Sequence, residues 1–216
     1  MEHLPIFINI KQKPTLVVGG GDIALRKINL LLKAKAKVDC LSPLFCEDIN
    51  TLFKDGYIKL IKKSFEQADI KDYSVIIAAT DDSSVNSLIS SIAHDKRIPV
   101  NVVDSPALSS FIIPSIVDRS PVIIAVSSAG KAPVLARIIR AKLETVIPSS
   151  YGILAEIAGE YRQRVKDRFS QIKDRRAFWE TAFSGVIAEK VFSGRISEAK
   201  DDIEKQLNDS VEMELG

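Results

Sequence analysis

The sequence predicts an α/β fold: a parallel sheet wound with helices, then a short strand–strand–helix segment, then an α-helical C-terminal part. Three observations support this. Between residues 15 and 103, apolar β-rich runs alternate with amphipathic stretches of helical spacing, the pattern of βαβ units. Residues 110–128, SFIIPSIVDRSPVIIAVSS, break that rhythm with two strand-like runs joined by a turn. Beyond Pro148 the apolar residues recur at helical spacing only.

Taken in order, Leu16-Val17-Val18 is a short β-branched run suited to a buried strand. From Asp22 onward, Ile23, Ala24, the stem of Lys27, Leu30 and Leu31 recur at helical spacing. The three glycines between these stretches therefore lie on a strand-to-helix turn. Gly19-x-Gly21-x-x-Ala24 fits the G-x-G-x-x-G/A dinucleotide fingerprint, in which glycine admits a tight turn and a close backbone approach to a pyrophosphate. The helix N-terminus then offers free N–H groups to that anion. This makes the first part a Rossmann-like domain.

Further strands are expected at 37–42, 58–61, 74–79 and 99–103, with helices at 22–35, 45–55 and 83–95. Asp118-Arg119-Ser120-Pro121 is turn chemistry. A helix starts near Ala132-Pro133, since proline suits a first turn, and stops at Pro148. Ile153, Ile157, Tyr161, Val165 and Phe169, at four-residue spacing, are expected to form the buried face of the next helix. Trp179 is expected in the core and His94 on a solvated helix end. Three parts result: 1–113, 114–147 and 148–216. The apolar runs FIIPSIV and VIIAVSS are too hydrophobic to leave exposed, so 114–147 is expected to pair two copies into a homodimer.

Composition narrows the function classes. The apolar content of 46% and charged content of 27% are those of an ordinary soluble protein. No run reaches the length of a membrane span, and the start MEHLPIFINIKQKP does not read as a signal peptide. A cytoplasmic, reduced setting is expected, with Cys40 and Cys46 unpaired. His3 and His94 are too few for a His/Cys metal cage, so no resident metal is expected. Residues 114–180 hold 12 basic and 7 acidic residues, a net +5 suited to an anionic partner. Nucleic acid is not that partner, because the charges are mixed in sign and no aromatic platform accompanies them.

Candidate site residues follow from the strand ends. The second strand carries Asp39 early and ends in Ser42-Pro43-Leu44, so the acid that reads a ribose in the fingerprint is out of place. No arginine stands there for a 2′-phosphate, which favours NAD over NADP. Thr80-Asp81-Asp82 ends the fourth strand beside the ligand crevice, or Asp82 caps the next helix; both roles can hold together. Asp104 ends the fifth strand, where a carboxylate can take a proton as hydride leaves to the cofactor. Asp-Ser-Pro is equally good Asx-turn chemistry. Ser127, Ser128 and Gly130 precede a helix and either bind an anion or cap it, with Arg119, Lys131, Arg137 and Arg140 nearby.

The segments HLPIF, VVGGGDIALRK, IAATDD, NVVDSP, SFIIPSIVDRSP and VSSAGKAPVLAR, in this order and spacing, closely resemble the precorrin-2 dehydrogenase/sirohydrochlorin ferrochelatase module of siroheme synthases. The likeness runs from residue 2 to about residue 180. It implies an NAD-binding domain, a dimerisation segment and a helical domain, with NAD-dependent oxidation of precorrin-2 to sirohydrochlorin and then insertion of ferrous iron, a substrate rather than a stored metal. By position, Asp22 and Ile23 match the turn at the cofactor phosphates, and Pro43 and Leu44 the segment by the adenosine. Those two differ from the commoner Leu-Thr, so backbone contacts are expected there. Asp104 matches the general base of dehydrogenation, also implicated in chelation. Ser128 matches a phosphorylated serine in the tetrapyrrole cleft, and Lys131 replaces a small polar residue. The last residues, DSVEMELG, fall where fused relatives begin a uroporphyrinogen-III methyltransferase domain, so a fused or separate methyltransferase is an expected partner. The competing readings are a dehydrogenase without chelatase activity and a non-catalytic NAD-sensing module.

Overall fold

The computed structural model describes residues 2–209 in two compact units. Residues 210–216, which the sequence reading assigned to the helical part, lie outside the described residues.

The first unit comprises the chain up to Ile113, together with Ala129–Lys131. Its sheet is built from β1 (Pro14–Val18), β2 (Lys37–Leu41), β3 (Ile58–Ile61), β4 (Val75–Ala78) and β5 (Val100–Val102) in the order β3-β2-β1-β4-β5. Every neighbouring pair runs parallel, with Val17 opposite both Cys40 and Ile77. The helices α1 (Asp22–Lys33), α2 (Glu47–Lys54) and α3 (Ser83–Asp95) make the crossovers.

Side-chain alternation splits the core into two layers. Val17, Val38, Cys40, Val75 and Ile77 face α1 and α2, while Leu16, Val18, Ile76, Ala78, Val100 and Val102 face α3. Strands covered on both sides need apolar residues at successive positions, as the sequence shows. The chain order reverses between β1 and β4, and a sheet of this kind opens its ligand crevice there, at the carboxyl ends of the strands. The apolar stripe of α1 is Ala24, Ile28 and Leu31; Ile23, expected on it, is exposed.

The second unit holds Pro114–Ser128 and the chain from Ala132. β6 (Ser115–Arg119) and β7 (Val122–Val126) form an antiparallel hairpin closed at Arg119↔Val122. The helices α4 (Pro133–Val146), α5 (Ser150–Arg168), α6 (Ile172–Ser184), α7 (Val186–Phe192) and α8 (Ile196–Asp209) follow. Leu154, Ile157, Tyr161 and Val165 of α5 pack with Phe178, Val191 and Ile203. The expected stripe was therefore one residue out at its start: Leu154 is 4% exposed and Ile153 39%. A strict four-residue repeat drifts from the 3.6-residue turn, and the helix corrects it with one three-residue step. Trp179 is half-buried at the core's edge, stacked on Phe183, and Phe178 takes the interior place. His94 bonds through Nδ1 to the Ser90 carbonyl one turn back.

Candidate functional site

The glycine turn joins β1 to α1, and its three glycines have different reasons to be glycine. Gly19 sits at φ +130°, and a Cβ there would lie 2.2 Å from the Ala79 carbonyl oxygen. A Cβ on Gly20 would lie 1.8 Å from the Leu44 carbonyl oxygen. These two let neighbouring strand ends close over the turn, and the Cys46 N–H donates to the Gly20 carbonyl at 2.8 Å. Gly21 is different. It is the N-cap of α1 in extended conformation at φ −94°, and a Cβ there meets nothing within 4 Å. The fold does not require glycine at that position; Ser, Thr, Asp or Asn would cap the helix better. The open space beside it belongs to a cavity of about 840 Å³.

Eight of the sequence-nominated residues line this cavity: Gly19, Gly21, Asp22, Ile23, Pro43, Leu44, Thr80 and Asp81. The first turn of α1 carries no side-chain cap, so its leading N–H groups remain for an anion. Beyond the nominated set, Ser42, Phe45, Cys46, Ser64 and Phe65 also line it. Those from β2 were within reach of sequence reasoning, since they follow that strand's end; Ser64 and Phe65 follow β3 and carry no local signal. The charged lining residues are Asp22, Asp81 and Asp82, and no lysine or arginine lines the cavity among the described residues.

Asp39 is held away from this site. It pairs across the sheet with Leu16, on the α3 side, and its Oδ2 accepts from the Tyr73 hydroxyl at 2.8 Å. Burial, then this bond to Asp39, pushes the Tyr73 phenol well above its ordinary range.

The loop after β4 is fixed twice. Asp82 caps α3, accepting from Ser84 N–H at 2.8 Å and Val85 N–H at 3.2 Å. The Ser84 hydroxyl and then these N–H groups hold its carboxyl below the ordinary value. Asn86, which sequence reasoning missed, donates to the Thr80 carbonyl at 2.9 Å and accepts from the Thr80 hydroxyl at 2.8 Å. Capping and cavity lining thus coexist on Thr80-Asp81-Asp82.

Asp104 follows β5 with φ +57°, exposed, and outside the cavity lining. The turn around it is closed by other groups: Ser105 N–H donates to the Val102 carbonyl, and the Ser109 hydroxyl joins Val102 to Ser105. Among the described residues the Asp104 carboxylate makes no hydrogen bond, so the turn does not use its side chain. Holding a non-glycine residue in the left-handed region costs energy that the tight closure maintains.

In the second unit, the Ser128 hydroxyl accepts from Ala132 N–H at 2.9 Å, tying down the approach to α4. Three of the four basic residues named near it are engaged. The Arg119 guanidinium donates to the Ile147 carbonyl at 2.7 Å and the Glu144 carbonyl at 3.2 Å, closing the end of α4. Arg140 pairs with Glu144 at 2.8 Å, and in the first unit Lys131 pairs with Glu2 at 3.1 Å. Arg137 is exposed. α4 buries Ala136 alone and exposes Val134, Leu135, Ile138 and Ile139. No cluster of three or more His, Cys, Asp or Glu side chains that could hold a metal occurs among the described residues. No helix among them is long and apolar enough to cross a membrane.

The family model described as "Putative NAD(P)-binding" matches residues 6–115, "Sirohaem biosynthesis protein central" matches 119–145, and "Sirohaem synthase dimerisation region" matches 150–207. The siroheme synthase of Ruthia magnifica subsp. Calyptogena magnifica is 59% identical over 216 residues, covering 100% of this chain and 46% of the relative. That of Nitrosomonas europaea is 48% identical over 98% of this chain and 45% of its own length. The chain thus spans about half the length of the curated relatives it matches. Among solved structures, SirC, a precorrin-2 dehydrogenase, superposes with a TM-score of 0.73 at 21% identity, covering 96% of this chain and 100% of its own, a likeness of fold. With its NAD(P)-binding, central and dimerisation regions matched in order, this chain belongs to the siroheme synthase family.

Proposed function

We propose that this chain oxidises precorrin-2 to sirohydrochlorin with NAD and then inserts ferrous iron, as a homodimer. The observation that carries the reading is Gly21: a helix N-cap where the fold would accept a side chain, kept bare beside a cavity at the sheet's switch point. The residues present fit a dinucleotide. The leading N–H groups of Asp22 and Ile23 would hold the pyrophosphate, and Pro43 and Leu44 would meet the adenosine through their backbone. With acidic residues as its only charged lining, the cavity disfavours an added 2′-phosphate, so NAD is the cofactor rather than NADP.

NAD, when bound, supplies the hydride acceptor. Asp104 supplies the base: its carboxylate, unused by its own turn, takes the proton that the macrocycle must lose as hydride departs. The same carboxylate accepts pyrrole protons during iron insertion, where the tetrapyrrole itself provides four nitrogen ligands. Ser128 belongs to the substrate cleft; residues 114–147, with the exposed apolar face of α4, pair the two copies together with residues 150–207, the span that matches the dimerisation region. The test is Asp104→Asn, which keeps the turn but removes the base. NAD affinity should be retained while precorrin-2 oxidation falls by about a hundred- to ten-thousand-fold. Normal oxidation in this variant would make Asp104 a turn residue only.

A further inference from the structure

Lys27 lies in the core-facing stripe of α1, between Ala24 and the buried pair Ile28 and Leu31, where a charge is out of place. It is half-buried, and among the described residues its ammonium has neither an ion pair nor a hydrogen bond. Burial, then the neighbouring Arg26 charge, lowers its pKa from the ordinary value; the acidic group opposing them is Asp104. Direction matters here. Helical side chains lean toward the helix N-terminus, and the N-terminus of α1 stands at the carboxyl edge of the sheet. A long side chain from Lys27 therefore leans toward the sheet edge at which β5 ends and Asp104 follows. Val103, the residue before Asp104, packs against the same cluster as Ala24, Ile28 and Leu31.

A partly desolvated ammonium without a protein partner is unfavourable unless something outside the chain completes it. Asp104, the opposing charge, is exposed and forms no ion pair with Lys27, so a cation beside it serves an anion arriving at the same place. We propose that Lys27 is a substrate-binding residue whose ammonium receives a carboxylate of the tetrapyrrole at the Asp104 edge. This rests on the reading of that edge as the tetrapyrrole site. One ion pair here fixes which side of the polycarboxylate macrocycle is presented to the base, because Ile28 and Val103, the neighbours of Lys27 and Asp104, pack in one layer.

The test uses the full chain and sirohydrochlorin as the probe, by fluorescence titration, with NAD affinity and thermal stability measured alongside. Lys27→Met keeps the stem and suits the apolar stripe. It should weaken sirohydrochlorin binding by about 10- to 100-fold, the range of a charge-assisted hydrogen bond, with NAD affinity and melting temperature unchanged. Lys27→Arg should restore most of the affinity. The proposal is overturned if Lys27→Met binds sirohydrochlorin like wild type, or if NAD affinity falls in step, which would make Lys27 a packing residue. Wild-type protein that binds NAD but not sirohydrochlorin would instead remove the substrate reading on which the proposal rests.

Discussion

Replacing Gly21 by Asp separates what the fold needs from what a ligand needs. At φ −94° and with no atom within 4 Å of its Cβ, the new side chain enters without backbone strain or clash. As an N-cap, Asp is better than Gly by a few tenths of a kcal/mol, so the variant should melt at or slightly above the wild-type temperature. Ligand binding should respond in the opposite sense. A carboxylate about 4 Å from one pyrophosphate charge, at an effective dielectric near 20, repels it by about 4 kcal/mol. Solvent entering the open cavity lowers this to about 2–4 kcal/mol, or about 30- to 1,000-fold in Kd. Isothermal titration with NAD, paired with a thermal melt, reads both effects. Gly20→Ala is the contrast: its Cβ would lie 1.8 Å from the Leu44 carbonyl oxygen, so it should lose stability outright. The reasoning is refuted if Gly21→Asp binds NAD as tightly as wild type, or if it unfolds as Gly20→Ala does.

Three further outcomes are expected. Ser128→Asp should lower kcat/KM for precorrin-2 by placing negative charge where substrate carboxylates approach, while Ser128→Ala stays close to wild type; equal behaviour of the two would leave Ser128 as the residue that ties down Ala132. The Asp82 cap has a folded pKa below its unfolded one, so its contribution is complete above about pH 5 and lost as pH falls through the folded value. Amide protection factors in the first turn of α3, with the intrinsic pH dependence of exchange divided out, should fall on acidification, and protection factors that do not change with pH there would contradict the capping role. Ile138→Asp, on the exposed apolar face of α4, should convert a wild-type dimer to a monomer by light scattering; a monomeric wild type would remove the proposed pairing.

Much of the sheet was legible because its strands are buried on both faces, so Leu16-Val17-Val18 and Val75–Ala78 are continuous apolar runs. Helix phase was less so. A repeat of four placed Ile153 inside, and Ile23 was counted on the α1 stripe that Ile28 completes. The eight cavity residues were legible because local signals mark strand ends and the turn after β1. What sequence could not show depends on distant partners. Tyr73 lies 34 residues from Asp39 and occupies it; Arg119 reaches carbonyls 25 and 28 residues away; and three consecutive glycines look alike until Ala79 and Leu44 are seen over two of them.

The most direct test of the account is to mix the wild-type chain with NAD and precorrin-2 under anaerobic conditions and follow reduced nicotinamide and sirohydrochlorin together. The account predicts that both form, in equal amounts and at the same rate, with NADP a poor substitute. A protein that binds NAD yet forms no NADH on adding precorrin-2 would contradict it, and would leave the glycine turn as the site of a sensor.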